Sequence, residues 1–140
     1  LEASLEIKEP PMLDHTGIVV SDLPKARKFY DAVAKALGLG IVTPHKDFFL
    51  LGRGPGQIPY LWIGTLRPSY WVEGSRAGIN QMHVAFAAKD KAMVDEFYRA
   101  TLAAGGRDNG KPGPRDGAGS AYYGAFVLDP DGNNIEAVAR

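Results

Sequence analysis

Three side chains have the type and spacing to hold one divalent metal ion: His15, His83 and Glu136. Two imidazoles and a carboxylate leave several coordination positions open, which suits non-haem iron chemistry or a Lewis-acid ion gripping substrate oxygens. A lone strand histidine is ordinarily a hydrogen-bonded core or surface residue, and a glutamate on a last strand is ordinarily solvated. What lifts these histidines above that background is an internal repeat. HTGIVVSDLPKARKFY begins at residue 15 and HVAFAAKDKAMVDEFY at residue 83, a constant offset of 83 − 15 = 68. The offset brings His15 onto His83, Asp22 onto Asp90, Phe29-Tyr30 onto Phe97-Tyr98 and Gly38 onto Gly106. With 3 histidines in 140 residues, such a coincidence arises by chance only about 2% of the time.

Each copy opens with a short β-rich run, 17–20 or 84–88, followed at once by a helix start. In the first copy the start is Ser21-Asp22 with Pro24 just inside: the aspartate can cap unpaired amides, and proline lacks only an N–H that would go unused. Ala26, Phe29, Tyr30, Val33 and Leu37 then form one apolar helical stripe, and Gly38 ends it. The second helix repeats this with Val94, Phe97, Tyr98, Thr101 and Leu102 and stops at Gly105-Gly106. Strand-like pieces follow at 41–43, 47–51 and 58–63 in the first copy, and at 121–128 and 133–139 in the second. Asp129-Pro130-Asp131-Gly132 reads as a tight hairpin turn, with Arg53-Gly54-Pro55-Gly56 as its counterpart.

The predicted fold is therefore α+β: two tandem βαβββ modules, mostly antiparallel, with amphipathic helices covering one face of the sheets. The first module is expected over 12–66 and the second over 79–140, joined by a linker at 67–78. Residues 1–11 read as an N-terminal extension or cloning remnant, with Met12 as the expected start; Leu5 and Ile7 alternate with charge and could add an edge strand.

Strand alternation decides whether the three candidates can meet. His15 shares a face with Gly17 and Val19, and His83 with Ala85 and Ala87, while the bulkier Ile18, Val20, Val84 and Phe86 turn towards the helices. Small residues beside each histidine leave a hollow for a ligand. Glu136, between Ile135 and Ala137, points away from the face that Ile135 covers, so all three donors are expected to converge. A metal there would offset the cost of burying the carboxylate.

Composition narrows the partners. Lysine plus arginine equals aspartate plus glutamate at 16 each, so no net field draws the chain to nucleic acid or anionic lipid, and a small-molecule substrate fits better. No cysteine is present, which removes disulfides and thiolate chemistry and suits a reducing cytoplasm. No apolar run approaches the roughly 20 residues of a membrane span.

The two repeat segments together with FVLDPDGNNIEAV resemble the vicinal oxygen chelate superfamily, which includes glyoxalase I, extradiol dioxygenases, fosfomycin-resistance enzymes and bleomycin-binding proteins. The resemblance implies sheets curled around a metal site with the helices outside, commonly in a homodimer. It also implies ligands on the first and last strands of each module: His15, His83, Glu136 and one position in 58–63. Aligning the two turns puts Tyr60 opposite Glu136, or Leu61 or Trp62 if the register slips, and none of these is a metal ligand. Glyoxalase I would need a glutamate there, so a three-ligand site of the dioxygenase or fosfomycin-resistance kind is expected. Which divalent ion it holds, iron, manganese, nickel or zinc, is left open.

Around this site, Asp108 to Ser120 reads as a mobile glycine- and proline-rich loop. Arg115 in it holds an anionic substrate group or is a solvated charge; Lys111 is read as solvated. Tyr123 is a candidate donor to an oxygen held by the metal, or a core ring. His45 is expected on the surface, and Tyr60, Trp62, Tyr70 and Trp71 in core or dimer interface, or lining an apolar pocket. Two functions follow: a metalloenzyme that chelates neighbouring oxygens of a small substrate, with lyase, isomerase or dioxygenase chemistry, or a drug-binding module without catalysis.

Overall fold

A computed structural model describes residues 9–115 and 121–140. In chain order it contains β1 (His15–Val19), α1 (Leu23–Ala36), β2 (Gly40–Val42), β3 (Phe48–Gly52) and β4 (Tyr60–Gly64). The second half repeats this as β5 (His83–Ala87), α2 (Lys91–Ala103), β6 (Arg107–Pro114), β7 (Tyr123–Leu128) and β8 (Asn134–Ala139). This is the expected α+β pair of βαβββ modules. Each makes its own four-stranded sheet, in the order β1-β4-β3-β2 and β5-β8-β7-β6. The first pair in each sheet is parallel and the others are antiparallel.

Both helices start where their caps dictate. The Asp22 carboxylate accepts from the Lys25 amide at 3.0 Å, and the Asp90 carboxylate from the Met93 amide at 2.9 Å. Each satisfies an amide that the first turn leaves unpaired. The helices bury Ala26, Phe29, Tyr30 and Val33 on one side and Val94, Phe97 and Thr101 on the other. Those stripes meet Ile18, Phe49, Leu51 and Ile63 of the first sheet and Val127, Ile135 and Ala137 of the second, all 1% exposed or less. Because α1 and α2 also pack against each other, the two cores merge into one cluster. The opposite face of each sheet is left for the site.

One strand departs from expectation. Residues 107–114 form β6, so that part of the predicted mobile loop is an edge strand paired with β7; residues 116–120 lie outside the described residues. Glycine and proline disfavour strands in general, but an edge strand tolerates both, and the register shifts around Gly110 take up the irregularity. Gly110 itself is needed for close approach, since a Cβ there would sit 2.7 Å from the Phe126 ring. Among the described residues no helix is long and apolar enough to cross a membrane.

A buried polar knot joins the modules. Asp129 and Tyr30 are 1% and 0% exposed. The Tyr30 hydroxyl donates to Asp129 at 2.6 Å, and the same carboxylate accepts from the amides of Asp131 and Asn133 and from the Asn133 side chain. Four donors make a buried carboxylate tolerable. Nearby, the Ser21 amide and hydroxyl both donate to Asp131, at 3.1 and 2.6 Å. The expected turn is thus also the clasp that seats the last hairpin on α1. Tyr30→Phe removes one donor to a buried charge and is expected to cost about 1.5–3 kcal/mol, read as a lower urea midpoint with an unchanged m-value.

Candidate functional site

The pairing register settles which side chains share a face. In the second sheet His83 lies beside Asn134, Ala85 beside Glu136, and Phe126 across from Glu136. His83, Ala85, Glu136, Phe126 and Gly124 therefore face away from the helices, as alternation predicted. Glu136 is nevertheless 1% exposed. Its Oε1 stands 3.3 Å from His83 Nε2, and its Oε2 accepts a hydrogen bond from the Tyr122 hydroxyl. Burial first, then the Glu136 carboxylate it donates to, raise the Tyr122 phenol above its ordinary pKa, so the proton stays on the donor.

His83 Nδ1 lies 3.0 Å from the Asn134 carbonyl oxygen and 3.1 Å from the Asn134 side-chain amide nitrogen. The two neighbours favour opposite tautomers. The backbone oxygen can only accept and favours Nδ1–H, whereas the amide, whose oxygen accepts from the Asn109 side chain at 3.0 Å, favours a bare Nδ1. In the second tautomer Nε2 donates to Glu136 Oε1, and in the first it carries its lone pair towards that oxygen. Two acceptors facing each other across 3.3 Å want a cation or a proton between them, and a histidine fixed by a backbone carbonyl is the usual form of a metal-ligating one. The donor set on this sheet fits a divalent metal.

His15 is on the other sheet. It is half-exposed, its Nδ1 is 2.7 Å from Asp14 Oδ1, and its ring stacks on Tyr60 with centroids 4.9 Å apart and planes 4° from parallel. Among the described residues no three His, Asp or Glu side chains gather as a metal site. Of the three expected ligands, one chain brings together His83 and Glu136 and leaves His15 apart.

The register also corrects the fourth position. Glu136 pairs with Ala85, two residues beyond His83, and the equivalent residue beyond His15 is Gly17, which pairs with Trp62. The symmetry mate of Glu136 is therefore Trp62, not Tyr60, which matches Asn134. Trp62 lies over Gly17, where a Cβ would be 3.5 Å from the indole, and stacks on Phe48 at 5.9 Å. With Gly17, Val19, Tyr70 and Trp71 it lines a cavity of about 170 Å³ under the linker.

The remaining candidates divide. Tyr123 points to the helix side, where its hydroxyl donates to Asp95 at 2.6 Å and Lys91 lies over its ring. Arg115 is on the site side, 4.8 Å above the Phe126 ring, but its Nη2 is spent on the carbonyls of Lys111 and Gly124. It ties β6 to β7. His45 is exposed and stacked on Phe48. Sequence reasoning missed Tyr122 and Phe126, and named Trp62 only as an alternative to Tyr60. Counting back from the Asp129–Gly132 turn would have put Phe126 opposite Glu136, and Tyr122, two strand periods further on, along the same face.

A family model described as the Glyoxalase/Bleomycin resistance protein/Dioxygenase superfamily matches residues 12–137. The chain belongs to that superfamily. It is 32% identical to a solved glyoxalase/bleomycin resistance protein from Albidiferax ferrireducens, with a TM-score of 0.68, covering 92% of this chain and 98% of that one. It is 30% identical over 134 residues to the Bacillus subtilis protein YqjT, covering 91% of this chain and 98% of the relative. A lactoylglutathione lyase from Arabidopsis thaliana is also 30% identical over 132 residues, which is 90% of this chain but 43% of the plant protein. The chain thus spans less than half of that relative.

A charge buried as Glu136 is costs stability in the absence of a metal. In metal-free protein Glu136→Gln keeps the volume and the acceptor for Tyr122 and offers His83 Nε2 an N–H. Differential scanning fluorimetry in chelator should show Tm raised by roughly 3–5 °C if about 1 kcal/mol is recovered.

Proposed function

We propose that this superfamily member is a divalent-metal enzyme acting on a small substrate with neighbouring oxygens, its site completed between two copies of the chain. His83 and Glu136 of one copy would hold the metal together with His15 of the other. The observation that carries this reading is the buried Glu136 carboxylate, with one oxygen facing His83 Nε2 at 3.3 Å and the other held by Tyr122. An ion bound there would supply Lewis-acid polarisation of two adjacent substrate oxygens and stabilise the negative charge that develops on them.

The chain's own residues would do the rest. Trp62 and Phe48 line the face beside His15 and would exclude water from the substrate's apolar side. Arg115, fixed over Phe126, adds positive charge near Glu136 on the site face. With Trp62 in place of a fourth donor, the site is a three-ligand one of the His, His, Glu kind. The plant relative's name supports lyase chemistry, and the donor set equally supports isomerisation or dioxygen insertion. A second reading, a binding protein without catalysis, is supported by the same stacked Trp62 and Phe48 wall.

Metal analysis of protein purified without chelator or nickel resin tests the proposal. Wild type is expected to carry close to one ion per chain, and His15→Ala and His83→Ala each to lose it. Mixing the two variants through an unfolding and refolding cycle should return about a quarter of the wild-type metal, since each mixed dimer of two-fold symmetry regains one intact site. No recovery would overturn the shared site. Negligible metal in wild type would leave the binding reading.

A further inference from the structure

We propose that Tyr122 is a positioning residue that makes Glu136 a one-oxygen ligand. The inference rests on the metal site proposed above and goes beyond it, since it assigns a role to a residue that binds neither metal nor substrate. Of the two Glu136 oxygens, Oε1 faces His83 Nε2 at 3.3 Å and Oε2 is taken by the Tyr122 hydroxyl. A phenol that donates its proton to Oε2 competes with a metal for that oxygen and turns the carboxylate so that Oε1 alone leads.

Gly124 supports the same arrangement independently. A Cβ there would stand 3.0 Å from Glu136 Oε2 and 3.1 Å from Tyr122 Cε1. Both are contacts tighter than ordinary van der Waals separation, and both lie on the one hydrogen bond in question. The glycine is what lets ring and carboxylate meet across β7. The ring is also held from outside, with the Arg140 guanidinium 4.8 Å over its face. Tyr123, the next residue, reaches the opposite side of the sheet and bonds Asp95. Two consecutive tyrosines therefore do unrelated work, and only one touches the site.

The consequence concerns coordination. A two-oxygen carboxylate would occupy an extra position on an ion that has three protein ligands, and confining Glu136 to one oxygen keeps that position for a second substrate oxygen. Residues that orient a ligand in this way ordinarily change metal affinity 10–100-fold when removed.

The test titrates metal-free protein with Co²⁺ and follows both affinity and the visible absorption band, which reports coordination number. Tyr122→Phe is expected to change the affinity about tenfold or more and to lower the band intensity as Oε2 joins the ion. Gly124→Ala, which keeps the hydroxyl but displaces it, should move both readouts in the same direction. Tyr123→Phe should match wild type. Circular dichroism separates these effects from loss of fold, which would move Tyr123→Phe and Tyr122→Phe together. A Tyr122→Phe protein within about twofold of wild type in affinity, with an unchanged band, overturns the proposal while the metal site stands. Wild type that takes up no Co²⁺ overturns the metal reading itself, and this proposal with it.

Discussion

A carboxylate that is 1% exposed on the face of a sheet turned away from the core constrains the rest of this structure. Water does not solvate Glu136, so its charge must be met by fixed groups. Tyr122 meets one oxygen and His83 approaches the other. Each requires something of its own strand. His83 needs the Asn134 carbonyl to fix its ring, so β5 must lie parallel to β8 in this register and no other. Tyr122 needs Gly124 to have no side chain. Phe126 then shields the carboxylate and carries Arg115, whose bonds to Lys111 and Gly124 hold the edge strand β6 in place. The local geometry of half the second sheet is arranged around one charge.

The core supplies the rigidity this needs from the other side. Helix stripes and inward strand residues pack into a single cluster, and the last hairpin is clasped to α1 through Tyr30, Ser21, Asp129 and Asp131. That hairpin ends in β8, which carries Glu136. A shift of one residue in β8 would move the carboxylate into the core and Ile135 out of it. Anchoring the turn against a buried tyrosine therefore fixes the position of a group on the far face of the same sheet.

Much of this was legible before any coordinates. The repeat gave the module order, the Asp22 and Asp90 caps gave both helix starts, and strand alternation put Glu136 and His83 on one face. What was not legible had local physical reasons. β6 is built from Gly and Pro because it is an irregular edge, and composition alone reads that as loop. The turn alignment chose Tyr60 because it assumed equal returns after the glycine. Three residues separate Gly56 from Tyr60, and one separates Gly132 from Asn134. The two extra residues move the symmetry mate of Glu136 to Trp62. The sequence reading names Tyr123 and passes over Tyr122, yet a single step along a strand exchanges core for site, and only the hairpin register distinguishes them.

The two modules have kept one donor in common and diverged around it. Beside His83 the sheet offers a buried carboxylate, a phenol and a guanidinium; beside His15 lie the exposed Asp14 carboxylate, Tyr60, Trp62, Phe48 and glycines. Neither face is a complete metal site. The polar face has His83, the buried Glu136 and its bond from Tyr122 but is open to water at His83, whereas the aromatic face has His15 beside an exposed Asp14 and the apolar surface that would exclude water. Each lacks what the other has. In the proposed division of one site between two copies, the position matching Glu136 carries Trp62 while a histidine stands in both modules. The substrate would then lie between a wall that stacks and a wall that polarises, so that shape would be read by the first sheet and chemistry performed on the second.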